Sequence, residues 1–291
     1  MKLFAPKYYE NFRCIADKCN HSCCIGWEID IDEAALNKYA SLSHPYSKVI
    51  NKTINYENAP HFGLNEHNHC PHLNEKGLCN IILNCGEEFI CDICREHPRY
   101  YNFTNYGKEV GVGMSCEAAC ELILNSDNFD EIIEIDEIDG EIIKCEYDAL
   151  LDRDTIFKIL KDENFEIDCK VDMIYDYFDV YLHEFPFEKI LSKLEYLTQD
   201  HKVLFCSAKN IYWNNDISKE LERILAYFVY RHCSESCDFN EFLTSLSFSI
   251  FCTGLISTLA DKNTILDTAR IVSEEIEYST ENTETIKSLF Y

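Results

Sequence analysis

The chain has 291 residues, 46% of them hydrophobic, enough for one large domain or two smaller ones with a sizeable core. Its 52 acidic and 26 basic residues leave a formal charge of -26. That excludes the basic face that nucleic acid requires and disfavours docking on an anionic membrane, while favouring a lysine-bearing partner protein. With only 9 Gly and 6 Pro, a glycine-built nucleotide fold is not expected, and the 17 Cys become the informative feature.

In chain order, Met1 to Tyr9 shows no apolar stretch with a cleavage site, so no signal peptide is read there. The longest apolar stretch, around Phe248 to Leu259, is interrupted by Ser249, Thr253 and Ser257 and reads as a buried helix, not a membrane span. A cytoplasmic location is expected, with thiols reduced and clustered cysteines used for metal or catalysis. Four thiols, Cys14, Cys19, Cys23 and Cys24, crowd the first segment. A helix over 31–42 follows, capped by Asp32. Cys70-Pro71-His72-Leu73, Cys79, Cys85 and Cys91-Asp92-Ile93-Cys94 come next, then the tyrosine-rich run after Pro98. Gly107 to Gly113 reads as a glycine-rich turn feeding Cys116, which starts a helix over 115–125. Glu131 to Tyr147 alternates Ile with acids around Asp139-Gly140, as a hairpin or a solvated connector would. Beyond it, apolar spacing predicts helices near 153–162, 168–184, 187–199, 217–233, 239–260 and 263–290, the last broken near Ser279 to Asn282.

The expected architecture is therefore mainly α. A cysteine-rich, loop-rich metal-cluster region (1–125) packs on a helical half (151–291) through an acidic connector or hairpin (126–150). Thiolate-rich ligation suits zinc or an iron–sulfur cluster and disfavours calcium or magnesium. The spacing matches neither a zinc ribbon nor the C-x3-C-x2-C loop of radical enzymes. His67, His69, His72 and His97 are possible ligands, with solvated loop histidines as the ordinary alternative. Cys145, Cys169, Cys206, Cys233, Cys237 and Cys252 read as core residues.

The ordered set Phe12-Arg13-Cys14, Cys19, Cys23-Cys24-Ile25-Gly26-Trp27, Cys70-Pro71-His72-Leu73, Gly77-Leu78-Cys79, Cys94-Arg95-Glu96-His97-Pro98-Arg99 and Ser115-Cys116-Glu117-Ala118-Ala119 resembles the flagellin lysine-N-methylase family. The N-terminal half is similar to a wider zinc- or iron-chelating domain. Tyr230-Arg231 and Ser273 to Tyr278 extend the resemblance toward the C-terminus. Glu117 directly follows Cys116, where the family often has Pro between them. The resemblance implies methyl transfer from S-adenosylmethionine to the ε-amine of flagellin lysines, with a cysteine-bound cluster, [4Fe–4S] or else zinc. On the pattern, ligands are drawn from Cys19, Cys23, Cys24, Cys79, Cys94 and Cys116, with Cys14 and Cys70 as further candidates. Cys85, Cys91 and Cys120 stand outside it. Two rival readings are a non-enzymatic chelating module and a different cluster-dependent peptide-modifying enzyme.

Lysine methylation needs a group that takes the ammonium proton and aromatic faces for the cations. Tyr100, Tyr101 and Tyr106 are candidates, with a core strand as the plainer reading of that run. Arg95 and Arg99 could neutralise thiolate charge or hold a substrate carboxylate, and they are the candidates for cofactor binding.

Overall fold

A computed structural model describes residues 1–142, 144–180 and 187–290. Two compact units divide the chain: Arg13–Pro98, and a unit built from Met1–Phe12 together with Arg99–Tyr291. They are called here the cysteine unit and the helical unit.

The first strand, β1 (Lys2–Pro6), belongs to the helical unit. The cysteine unit then contains β2 (Ile29–Asp30), α1 (Glu33–Ser41), α2 (Ser47–Thr53), β3 (Ile54–Asn55), β4 (His61–Phe62), α3 (Asn80–Cys85) and α4 (Asp92–Glu96). Its three short strands pair in the order β2-β4-β3, with Phe62 opposite both Ile29 and Ile54. Asp32 caps α1 by accepting from the Ala35 amide at 2.8 Å, as the sequence predicts. The core is small: Ile29, Tyr39, Ile50, Phe62 and Ile81, together with the buried thiols Cys70 and Cys91.

The helical unit resumes with β5 (Arg99–Thr104), β6 (Gly107–Val112), α5 (Glu117–Leu124), β7 (Ile132–Glu137), α6 (Ala149–Leu160), α7 (Ile167–Phe178), α8 (Phe187–Leu191) and α9 (Gln199–Cys206). It ends with α10 (Ser218–Cys233), α11 (Phe239–Leu259), α12 (Ile265–Val272), a π turn over Ser273–Glu277 and α13 (Thr280–Lys287). Helix α10 packs against α5, α6, α7 and α11. Its buried face is Leu221, Ile224, Leu225, Phe228 and Val229, the stripe that helical spacing predicts. Helix α11 is long and apolar enough to cross a membrane, but 83% of its apolar window is buried within the protein. Ser249 and Thr253 sit inside it by bonding back to the carbonyls of Ser245 and Ser249.

The fold is mixed α/β, about 51% helix and 12% strand, rather than mainly α. The difference lies in a four-stranded sheet of order β5-β6-β1-β7. Strand β1 runs parallel to β6 and antiparallel to β7. The acidic segment read as a hairpin or connector therefore supplies a strand whose partner is the N-terminal strand. This pairing also places residues 1–12 and 99–125 in the same unit as the helices, so the expected boundary near 125 falls inside it. The glycines of 107–113 lie largely in strand β6 rather than in a turn. Helices α2, α3, α4 and α9 were not expected. The reading of helix over 187–199 narrows to Phe187–Leu191, and the 181–184 end of the reading over 168–184 lies outside the described residues.

Gly107 shows why β6 needs a missing side chain. Its φ is +154°, and a Cβ there would stand 2.4 Å from the Lys2 carbonyl oxygen, a backbone atom of β1. Gly107→Ala must push β1 away from β6 and is expected to cost about 2–4 kcal/mol in urea unfolding. An unchanged midpoint would show that the strands separate without penalty.

Cys145 and Cys237 are joined by a disulfide across 92 positions, with Cα atoms 5.1 Å apart. They are therefore not the core thiols that the sequence reading made them. Asn105 holds the Cys145 backbone in place through both its amide and its carbonyl. Cys169 is exposed and Cys206 half-buried, whereas Cys233 and Cys252 are core residues as read.

Candidate functional site

In the cysteine unit, five thiols from separated parts of the sequence come together. The Cys70 amide donates to the Cys24 carbonyl at 2.8 Å, which joins the first loop to the Cys70 strand-like segment. An isolated bridge between Ile25 and His69 continues that contact. Cys79 immediately precedes α3 and pairs with Leu73 in a second bridge. Cys91 precedes α4, Cys94 lies on it, and the two thiols are hydrogen-bonded to each other. The Cys91 sulfur is also 3.4 Å from the buried Tyr39 hydroxyl.

The electrostatics identify the same group. The Cys70 thiol is pushed up to about 12 by burial, with Cys24, Cys79 and Cys91 adding to the effect. Burial raises Cys79 too, and Cys24 and Cys91 act on it. Cys94 is raised by its bond to Cys91, by burial and by nearby Cys24 and Cys70. Two members go the other way. Cys24 falls to about 7 through its bond with Cys23, despite burial, and Cys91 is lowered by its bond with Cys94. Cys24, Cys70, Cys79, Cys91 and Cys94 are thus near enough to feel one another's charge. Among the described residues, no three of these side chains stand in a preformed ligand arrangement around one point. Five neighbouring thiols, two buried and three half-buried, are nonetheless the donor chemistry of a soft metal or iron–sulfur group.

The other candidates are placed differently. Cys14 and Cys23 are exposed, and the Cys19 thiol donates to the His21 carbonyl on the same surface loop. Cys85 lies at the end of α3, its sulfur 3.9 Å from His44 Nδ1. Cys116 lies in the helical unit, immediately before α5. His72 is buried between Tyr46 and Thr53, one on each ring nitrogen, which leaves neither nitrogen for a metal. Burial lowers both His72 and His97 to about 4, so both are neutral at pH 7. Arg95 pairs with Asp92 and donates to the Ile90 carbonyl. Arg99 belongs to the helical unit, where it donates to Tyr9 Oη at 2.9 Å and stacks near Phe12.

A second constellation, within the helical unit, draws on residues far apart in sequence. Glu277, at the end of the π turn, has a fully buried carboxylate. It pairs with Arg231 Nε at 3.2 Å and His232 Nε2 at 2.8 Å, and accepts from Ser273 and Tyr227 hydroxyls. Burial opposes its ionisation, but the Arg231 guanidinium, then His232 and Ser273, hold it below the ordinary carboxylate range. The Tyr227 hydroxyl also accepts from the Met114 amide, which ties the network to the segment carrying Ser115 and Cys116. The Arg231 guanidinium lies 4.6 Å from the Tyr100 ring centre and 5.1 Å from that of Tyr278.

Of the tyrosines proposed for catalysis, only Tyr100 joins this constellation. Its hydroxyl is buried with no hydrogen-bond partner among the described residues, and a Cβ on Gly111 would stand 2.3 Å from it. Burial raises its ionisation far above the ordinary tyrosine value, so it remains a donor and cannot serve as a tyrosinate base. Tyr101 is on the surface with the Lys108 ammonium over its ring, and Tyr106 is exposed and bonded to Asp148. In the sequence, Arg231 and Glu277 stand out only through the family resemblance. The physical signal was the four-residue spacing of Tyr227 and Arg231 on a helix.

Neither a family model nor a solved structure matches the chain. Curated proteins do. Flagellar biosynthetic protein FliU of Salmonella muenchen is 26% identical over 129 residues, covering 41% of this chain and 75% of that protein. Lysine-N-methylases of Salmonella choleraesuis and Salmonella typhimurium are each 26% identical over 129 residues. Over that stretch the chain is similar to a flagellar biosynthetic protein and to two proteins named lysine-N-methylase. The match spans three quarters of FliU but 32% of each lysine-N-methylase, so the similarity concerns a part of those larger enzymes.

Proposed function

We propose that the chain is a cytoplasmic protein-lysine N-methylase that takes methyl from S-adenosylmethionine and acts on flagellin or another lysine-bearing protein. The observation that carries this reading is the similarity to two proteins named lysine-N-methylase. The net charge of -26 supports a basic protein substrate. In the reaction the deprotonated lysine nitrogen forms a bond to the methyl carbon as the carbon–sulfur bond breaks. S-adenosylhomocysteine leaves, and the ammonium proton passes to a base or to water.

In this proposal four of the five thiols Cys24, Cys70, Cys79, Cys91 and Cys94 would hold an iron–sulfur cluster or zinc. Such a group fixes thiolates in place and, if redox-active, supplies electron transfer when bound. The chain's own contribution in the helical unit is electrostatic. Glu277 balances Arg231, and the Tyr100 hydroxyl is a buried donor without a partner among the described residues.

The test uses anaerobically purified full-length protein with its metal retained, S-adenosylmethionine and purified flagellin. Flagellin is expected to gain mass in steps of one methyl on lysines. Unchanged mass together with no binding of S-adenosylmethionine by calorimetry would overturn the methylase reading. Retained metal in that result would leave the chelating module in its place.

A further inference from the structure

The solvent faces of α6 and α7 form an open groove of about 640 Å³ lined by Thr155, Lys158, Ile159, Asp162, Met173, Asp176 and Tyr177. Both sides follow from helical spacing. Residues 155, 158, 159 and 162 run along the outer face of α6 and the turn that ends it, and 173, 176 and 177 along that of α7. The volume falls in the range of sites that take a small ligand or a short stretch of polypeptide.

Met173 is 37% exposed and Tyr177 61% exposed, with Ile159 half-buried between the helices. Carboxylates of Asp162 and Asp176 stand beside this apolar strip. Asp162 receives the Asn164 amide and side chain on the same oxygen, Oδ1, bonds that favour its ionised form. Residues 148–179 hold ten acids and four bases. Arg153 and Lys170 are buried in pairs with Glu109 and Glu222, and Lys161 pairs with Asp130. Among the described residues that line the groove, Lys158 is the one base.

We propose that the α6–α7 groove docks a lysine-bearing segment of a polypeptide partner. The methylene stem of a lysine lies on Ile159 and Met173, its ammonium reaches Asp162 or Asp176, and the Tyr177 ring offers a cation–π face. Charge complementarity selects this occupant. The groove is acidic within a chain of net charge -26, so an acidic peptide or a nucleic acid is repelled. The inference deepens the proposed function by giving its protein substrate a docking surface, and its binding arm stands apart from methyl transfer.

The experiment titrates full-length protein with a fluorescent acetyl-Gly-Lys-Ala-Leu-Lys-Ser-Gly peptide amide, and with the same peptide acetylated on both lysines. Binding is expected for the first, with about tenfold weaker affinity for the Asp162→Asn/Asp176→Asn double variant and a similar loss for Tyr177→Ala. Affinity is also expected to fall between about 50 and 500 mM salt, where screening shortens to a few ångströms. Matching melting curves for the variants would confirm that folding is unaffected, since the three side chains are at the surface. Equal binding of the acetylated peptide, or unchanged affinity of both variants, would overturn the docking site. Binding that depends on the aspartates, in a protein that neither binds S-adenosylmethionine nor transfers methyl to flagellin, would sink the methylase reading and leave the groove standing. Methylation with an unchanged KM in the double variant would do the reverse.

Discussion

Cys91→Ala is expected to strip the cysteine unit of its metal, although sequence pattern set Cys91 apart from the ligand cysteines. The reason is position. Cys91 is bonded to Cys94, lies against Tyr39, and acts electrostatically on Cys70, Cys79 and Cys94. The unit has a small core for its 86 residues, so a bound metal would add a large part of its stability, on the order of 10 kcal/mol for a structural site. Metal and sulfide per chain should drop to background in Cys91→Ala and Cys24→Ala. They should stay at the wild-type level in Cys85→Ala and Cys206→Ala. Hydrogen exchange should rise across 13–98 in the first pair while α10 and α11 remain protected. Full metal in Cys91→Ala would remove it from the set.

The second large effect is expected at Glu277. Glu277→Ala leaves the Arg231 guanidinium buried without its carboxylate and should cost about 3–5 kcal/mol, read as a lower urea midpoint. The same network sets a pH dependence. Burial lowers His232 from 6.5 to about 4, and Glu277 is held below its usual range. Both groups have depressed values in the folded protein, so the stability they contribute is complete above the unfolded values. It is lost as pH falls, for His232 between about 6.5 and 4, by on the order of 3 kcal/mol. Glu277 adds a further loss below about 4.3. Unfolding free energy measured across pH 8 to 4 should slope downward below 6.5, and His232→Asn should flatten that portion. A slope of equal size in His232→Asn would assign it to other groups.

What was legible in the sequence was local. The Asp32 cap, the apolar stripe of α10, the serine-broken but buried α11 and the break at Ser279 all appear where residue spacing and capping chemistry put them. These depend on neighbours within a few positions. The sheet depends on pairing across the chain: Phe4 meets Glu109 on one side and Glu134 on the other. No periodicity in either segment names its partner. The candidate site divides the same way. The C-x2-C spacing of Cys91 and Cys94 was visible, but only folding brings Cys24, Cys70 and Cys79 beside them. Tyr100, Tyr101 and Tyr106 look alike in sequence, and burial alone separates the first from the others. Glu277 sits among surface-type acids in sequence, and its zero exposure follows from Arg231 lying 46 positions earlier.

The place of β1 has a consequence for synthesis. This strand is made before both of its neighbours, β6 and β7, which begin at Gly107 and Ile132. At ordinary elongation speeds of about 5–20 residues per second, the nascent strand waits several seconds, with both edges open, while the whole cysteine unit is made. The helical unit cannot complete its sheet until β6 and β7 have been made. A chaperone or a premature strand partner would find its opening in that interval. An extension or truncation at Lys2–Pro6 would accordingly be felt as a loss of yield more than of activity in the molecules that survive.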